Sequence, residues 1–167
     1  LIQLSGVQKE VIRISKIVDT DLFLGEEATE DNFRKNVGGY DILHLAMHAF
    51  ISDTLPALSS FAFTQNKTED PTKNGLLNTA DIYNLQLNAK LTVLRASNTG
   101  TCQLKKGESI MSLACGFLYA GCPSIIMSLW EVEDESGTQI ITSFYKNLKK
   151  GKTKSESLRL AKLEYIE

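Results

Sequence analysis

The stretch "YDILHLAMHAF", residues 40–50, carries the strongest indication of the fold. Its centre, Ile42 to Met47, is a largely apolar run without regular alternation of polar and apolar residues. Such runs are typical of strands that are buried on both faces, as in parallel sheets. We therefore expect a central strand of a parallel sheet here. Ligands bind at the carboxyl ends of such strands, where this stretch places His48.

Strands and helices are predicted to alternate along the rest of the chain. Further strands are predicted at "DLFLG" (21–25), "SSFAFT" (59–64), "LTVL" (91–94) and "PSIIMSLW" (123–130). Helical spacing and capping residues predict helices over Val7–Val18, after Thr29, from Thr79 to Leu85, over 107–121, over 136–151 and over Ser155–Ile166. The helix over 107–121 is expected to turn Ile110, Leu113, Phe117 and Leu118 inward. This alternation predicts an α/β fold, with a mostly parallel sheet and helices on both faces, in one domain over residues 1–167.

Composition narrows the functional classes. The chain has 167 residues and a formal charge of −2, so no overall field would attract nucleic acid or a membrane. No apolar run reaches the roughly 18 residues that a membrane-spanning helix needs. The start, "LIQLSGVQKE", has neither a charged leader nor a cleavage pattern. We expect a cytoplasmic protein, and the missing initial Met suggests a fragment of a longer one.

Cysteines and histidines give no pattern typical of a metal site. Cys102, Cys115 and Cys122 are spaced by 13 and 7 residues, which fits no zinc motif. Cys115 and Cys122 are expected to be buried and reduced, whereas Cys102 lies in a polar loop. His44 would share a strand face with His48, but no further ligand follows, so His44 is expected to pack within the sheet. The sequence predicts no bound metal or cofactor.

Polar residues follow three of the predicted strands, at the edge where parallel strands end. His48 ends the first strand, Ser97 follows the "LTVL" strand, and Glu131 ends the third, with Glu133 and Asp134 beyond. His48 precedes Ser97 by 97 − 48 = 49 residues. This separation is close to the roughly 50 residues between the catalytic His and Cys of caspases.

Four blocks of the chain resemble the CHAT domain, a caspase-like peptidase module that often follows TPR repeats in bacteria. The blocks are, in order, "LHLAMHA" (43–49), "GLLNTADIYNLQL" (75–87), "VLRASNTG" (93–100) and "GESIMSLACGFLYAGCPSIIMSLWEVED" (107–134). The last block also resembles the corresponding part of separases, which share the caspase-like fold. The resemblance implies a three-layer αβα sandwich and a clan CD cysteine peptidase with a His/Cys dyad.

The resemblance also assigns roles to positions in this chain. In the dyad, a Cys thiolate attacks the peptide carbonyl and the His protonates the leaving amine. Backbone N–H groups beside them polarise the carbonyl oxygen. By position, the His is His48, the oxyanion-side backbone is that of Ala49, and the nucleophile position is Ser97.

Position 97 departs from the family pattern. A serine stands where the family has cysteine, Arg95 stands where it has serine, and Ala49 where many members have glycine. Ser97 could be an introduced exchange that traps an inactive enzyme. Alternatively, the protein is a natural pseudopeptidase that binds peptide without cleaving it, and Arg95 beside the site favours this alternative. Ser97 could also be a true nucleophile, but a hydroxyl is far less acidic than a thiol and needs a strongly oriented base. A fourth alternative is Cys102 as a displaced nucleophile.

Three residues are candidates for contact with a substrate. Glu131 and Asp134 lie in the separase-like block, and separases bind a basic residue before the scissile bond through acidic groups. A buried carboxylate would hold Arg or Lys by a charge-assisted hydrogen bond. Alternatively, these acids begin a helix and stabilise its dipole. Arg95, beside the nucleophile position, is the third candidate.

The expected function follows from the dyad and its departure. We expect a CHAT-type peptidase module that is inactive with Ser97, or a pseudopeptidase that holds peptide in the same cleft. The expected partners are a protein or peptide substrate and a TPR-containing region or activating partner, with no nucleic acid and no membrane. Family members usually continue into a further aromatic-rich strand, whereas this chain stops at "KLEYIE". We therefore expect a domain that is truncated at its C-terminus and separated from any upstream TPR region.

Overall fold

A computed structural model describes residues 5–52, 54–65, 74–98, 108–128 and 132–167. The chain forms two compact units: the sheet unit, Leu24–Glu131, and the helical unit, Leu1–Phe23 with Val132–Glu167. The sheet unit contains strands β1 (Ile42–Phe50), β2 (Ser60–Ala62), β3 (Leu76–Asn78), β4 (Leu91–Asn98) and β5 (Ile125–Met127), and helices α2 (Glu30–Asn36), α3 (Thr79–Ile82) and α4 (Glu108–Tyr119). The helical unit contains α1 (Ser5–Ser15), α5 (Asp134–Lys149) and α6 (Lys154–Ile166).

The five described strands form one sheet in the order β3-β2-β1-β4-β5. The central ladder between β1 and β4 is parallel, and β5 continues the sheet in parallel beyond β4. Only the short strands β2 and β3 run antiparallel to their neighbours. The predicted α/β fold with a mostly parallel sheet is confirmed, and it is consistent with a caspase-like αβα sandwich. The prediction of a single domain over residues 1–167 stays a prediction.

The central strands are less uniformly buried than their apolar sequences predict. In β4, Leu91 to Leu94 are all buried, as expected for a strand covered on both faces. In β1, Leu43, Leu45 and Ala49 are buried, whereas Met47 and the residues of the other face are half-buried, except Phe50, which is exposed. The core of the sheet unit therefore lies against the odd-numbered face of β1, and His44 and His48 lie on the other face.

Helix α4 covers this core, but with a different face from the one predicted. Leu113 and Phe117 are buried as expected, and Phe117 packs edge-on against Phe61 with ring centroids 6.0 Å apart. Leu118 and Cys115 were expected to be buried, and this was wrong, because both are exposed. The inward face includes Ala114 instead, so the buried face of the helix differs from the predicted one.

The predicted helix caps and the predicted strand at residues 21–25 were only partly correct. Thr29 caps α2 as predicted, since its hydroxyl accepts a hydrogen bond from the Asn32 amide at 3.2 Å. Helix α3 is shorter than predicted, and it is capped by Asn78 in a reciprocal capping box with Asp81 rather than by Thr79. The predicted strand at residues 21–25 is wrong. Residues 21–24 join no ladder, and Gly25 begins a short 3₁₀ turn.

The helical unit is held together around α5. Helix α5 packs against both α1 and α6, and its residues Ile141, Phe144 and Tyr145 are buried. A fully buried carboxylate, that of Glu10 in α1, accepts a hydrogen bond from the Thr138 hydroxyl of α5 at 3.0 Å. No helix in the described part of the chain combines the length and the hydrophobicity that a bilayer crossing requires.

Candidate functional site

The carboxyl-terminal ends of β1 and β4 lie side by side. The register pairs His48 with Ser97 and then, as the last pair of the ladder, Ala49 with Asn98. Because the two strands are parallel, both run towards the same edge of the sheet. Neighbouring strands lie about 4.8 Å apart. The backbone positions of His48 and Ser97 are therefore adjacent, although they are far apart in the sequence.

A constant offset along the ladder explains this adjacency. The same 49-residue separation relates Ile42 to Leu91 at the start of the ladder and Ala46 to Arg95 in its second half. A one-residue slip of β1 would exchange its two faces and turn the buried Leu43 and Leu45 away from the core. The buried face of β1 therefore favours the register that brings positions 48 and 97 together.

Arg95 lies on the same side of the sheet as His48. Its register partner is Ala46, two residues before His48, so Arg95 and His48 are diagonal neighbours across the ladder. Such neighbours are roughly 7–8 Å apart at Cα. Both side chains are half-buried, and the Nη2 atom of Arg95 is fully buried. A guanidinium and an imidazole therefore line this face just before the strands end.

Ala46 was not identified from the sequence. Ala46 is the register partner of Arg95 and lies on the face that carries His48. The sequence could have predicted this pairing. If the strands are taken to be parallel, the separation between His48 and Ser97 also relates Ala46 to Arg95.

Ala49 lies inside the sheet. Its register partners are Asn98 in β4 and Phe61 in β2, and its side chain is 1% exposed. The methyl group therefore belongs to the core beneath α4, while the backbone is part of both ladders. This position is one residue beyond His48, at the edge where the site is expected.

Neither acidic candidate belongs to the described residues of the sheet unit. Glu131 lies outside the described residues. Asp134 is the first residue of α5 and belongs to the helical unit, whereas His48 and Ser97 belong to the sheet unit. A methyl group added at Gly6 would lie 2.8 Å from Asp134 Oδ2, so this carboxylate packs against the start of α1. Asp134 also stabilises the positive end of the α5 dipole.

The cysteines differ in their surroundings. Cys122 is fully buried as predicted, and its thiol accepts a hydrogen bond from Thr92 at 3.2 Å and donates one to the Ser124 carbonyl at 3.3 Å. This thiol is thereby fixed as a structural group between β4 and β5. Cys102 lies outside the described residues. Among the residues that are described, no group of three or more His, Cys, Asp or Glu side chains is arranged to hold a metal ion.

Comparison with known proteins agrees with this fold. The family model of the CHAT domain matches residues 2–167. Tetratricopeptide repeat protein 28 of Homo sapiens is 25% identical over 182 residues, which cover 92% of this chain. The Mus musculus protein of the same name is 24% identical over 184 residues, again covering 92% of this chain. The chain spans only 7% of the length of either relative.

No solved structure matches the chain significantly. The family assignment therefore rests on the family model, which extends over nearly the whole sequence. The α/β fold with its mostly parallel sheet is consistent with that assignment. This chain belongs to the CHAT-domain family, a family related to caspase-like peptidases.

Proposed function

We propose that the ends of β1 and β4 form the peptide-binding cleft of a caspase-like peptidase module, in which cleavage is switched off by serine at position 97. The observation that carries this proposal is the register pairing of His48 with Ser97 in adjacent parallel strands. Parallel sheets bind ligands outside the carboxyl ends of their strands. A nucleophile and its base would both stand at that edge.

The spacing of the strands suits proton transfer between the two positions. Since neighbouring strands are about 4.8 Å apart, a thiol at position 97 would come within reach of the His48 imidazole, directly or through one water. His48 would assist formation of the thiolate and later protonate the leaving amine. The backbone of Ala49 is our candidate for the oxyanion-side donor.

Serine at position 97 lowers the reactivity of such a site. A free cysteine thiol has a pKa of about 8.5, and a serine hydroxyl is far less acidic, so a His that suffices for a thiol does not suffice for the hydroxyl. The exchange of sulfur for oxygen changes the size of the side chain very little. The cleft would still accept a peptide, and the chain would bind it without forming an acyl-enzyme.

Arg95 supports the alternative that this binding is the natural function. A half-buried guanidinium on the face that carries His48 supplies donors for a peptide carbonyl or carboxylate. In that case the protein is a pseudopeptidase that recognises a protein segment. Glu131 and Asp134 remain proposed contacts for a basic residue of the peptide. A TPR-containing region or another activating partner would act with the module, in line with the names of its relatives.

The test is a peptidase assay of the Ser97→Cys variant beside the unchanged chain. Pooled fluorogenic peptides should carry Arg, Lys or Asp before the bond, so that both charges are sampled. The matched control is the double variant Ser97→Cys/His48→Ala. If the proposal is correct, the Ser97→Cys variant cleaves, and the unchanged chain and the double variant do not.

Peptide binding separates the two versions of the proposal. If Ser97→Cys does not cleave, peptides from the same pool should still bind the unchanged chain, and binding should weaken in Arg95→Ser. That result would identify a pseudopeptidase. Absence of both cleavage and binding, in a chain whose circular dichroism spectrum is native, would contradict the proposed cleft.

A further inference from the structure

A second feature of the chain is a concentration of lysines in the helical unit. Residues 146–154, "KNLKKGKTK", contain five lysines and no acidic residue, although the whole chain has a net charge of −2. We call Lys146, Lys149, Lys150, Lys152 and Lys154 the basic corner, because they lie where α5 ends and α6 begins. The first four are exposed and Lys154 is half-buried.

The basic corner is an ordered turn between two helices. Gly151 adopts a φ of +83°, and its amide donates to the Leu148 carbonyl at 2.9 Å. The Lys152 amide donates to the Asn147 carbonyl at 3.3 Å, which completes a Schellman motif at the end of α5. The Thr153 hydroxyl then caps α6 by accepting from the Glu156 amide. The lysine backbones are therefore fixed before any partner arrives.

Nearby acids neutralise only part of this charge. Lys152 pairs with Glu156 at 3.1 Å. Glu164 accepts hydrogen bonds from Ser143 and Asn147, which lower its pKa, and Lys150 and Lys146 lower it further. Residues 146–164 contain seven basic and two acidic residues, so their net charge is 7 − 2 = +5. One or two cations suffice to stabilise the C-terminal end of a helix dipole, so the dipole alone does not account for this charge.

We propose that the basic corner docks an acidic segment of a protein partner. Single exposed ion pairs contribute little, so useful affinity needs several carboxylates that bind together. An Asp- or Glu-rich stretch supplies them at the spacing of consecutive residues. Such a surface mainly accelerates association and orients the partner. This site is independent of the proposed cleft in the sheet unit.

The composition of the corner favours a protein over a nucleic acid or a membrane. Within residues 146–154 no large hydrophobic side chain is exposed, and the exposed Leu163, Tyr165 and Ile166 lie in the last turns of α6, so the corner itself offers nothing to stack on bases or to enter a bilayer. The corner itself contains lysine and no arginine, so it presents compact point charges rather than planar guanidinium groups. Multiple point charges with compact ammonium groups suit carboxylates along a flexible acidic chain.

The test is fluorescence anisotropy with the whole 167-residue chain. The probe is a fluorescein-labelled peptide of about eight glutamates, which is long enough when extended to reach across the corner. A glutamine peptide of equal length and a single-stranded oligonucleotide are the comparison ligands. The variant is Lys149→Glu/Lys150→Glu. The matched control is Lys9→Glu/Lys16→Glu, which makes the same charge change at exposed lysines of the same unit.

We expect the glutamate peptide to bind at low salt and to dissociate as salt rises, because exposed charges are screened within about 10 Å at 0.1 M. Its affinity should fall about tenfold in Lys149→Glu/Lys150→Glu and change little in the control variant. Equal binding to both variants, or tighter binding of the oligonucleotide than of the glutamate peptide, would overturn the proposal. Salt-sensitive self-association of the chain, abolished by Lys149→Glu/Lys150→Glu, would also overturn it, because the acidic start of α5 in a second copy would then be the occupant.

Discussion

Tyr145 couples the stability of the helical unit to alkaline pH. Its side chain is 2% exposed and lies near the buried carboxylate of Glu10. Burial, and then the charge of Glu10, raise the pKa of Tyr145 well above its ordinary value of about 10. The phenol therefore stays protonated in the folded chain at pH values where it ionises in the unfolded chain.

The direction and size of the effect follow from this difference. A group whose pKa is raised by folding contributes fully below its unfolded pKa, and the contribution is lost as the pH rises above about 10. Between pH 9 and pH 11, ionisation of the unfolded tyrosine lowers the free energy of unfolding by about 1.4 kcal/mol. In Tyr145→Phe this loss should disappear, because phenylalanine has no proton to release.

The assay is urea denaturation followed by far-ultraviolet circular dichroism at both pH values. The matched control is Tyr119→Phe, since Tyr119 is 77% exposed. We expect the control to keep the full alkaline loss of stability and Tyr145→Phe to show about 1.4 kcal/mol less of it. If Tyr145→Phe loses as much stability as the unchanged chain between the two pH values, the reasoning about this buried phenol is refuted.

Three further predictions concern packing, thiol exposure and capping. Phe117→Ala removes a fully buried ring, so urea denaturation should show that the free energy of unfolding falls by about 3–5 kcal/mol. A fall of less than about 1 kcal/mol would mean that α4 does not pack as described. Iodoacetamide should label Cys115 in the native chain but Cys122 only after unfolding. Mass spectrometry of the peptides measures the labelling, and equal rates at the two cysteines would contradict their different burial. Thr153→Ala should cost about 1 kcal/mol, because the Glu156 amide loses its cap, and Thr153→Ser should restore most of it.

The fold was largely predictable because its central strands are strongly apolar. The runs at Ile42 and Leu91 predicted the parallel pair β1 and β4, and tertiary burial confirms β4 as a strand covered on both faces. The segment 21–25 has a similar composition, yet it forms no strand. A strand requires a neighbour with which to exchange hydrogen bonds, and composition does not reveal whether that neighbour exists.

The face that a helix presents was harder to predict. In α4 nearly all residues are apolar or small, so several faces are equally plausible from periodicity. Close packing decides between them: a Cβ at Gly116 would lie 3.1 Å from Ile82 Cγ2, so this side of α4 approaches α3. Leu118 and Cys115 then turn to solvent.

The candidate site depended on both residues and topology. Periodicity placed His48 and Ser97 at strand ends, and only the resemblance to the family gave them roles. The parallel register then made the positions adjacent. Asp134 is the last residue of the separase-like block, and its carboxylate packs against Gly6 within the helical unit, a contact that the sequence did not predict.

The central claim is that positions 48 and 97 form the dyad of a peptidase cleft, and thiol reactivity tests it most directly. The measurement is the rate of iodoacetamide alkylation at position 97 in Ser97→Cys, resolved from the other cysteines by peptide mass spectrometry, with and without His48→Ala. A neighbouring imidazole favours the thiolate, so at pH 6.5 the rate should fall about tenfold when His48 is removed. Equal rates in the two variants would contradict the dyad, and with it the proposed peptidase site.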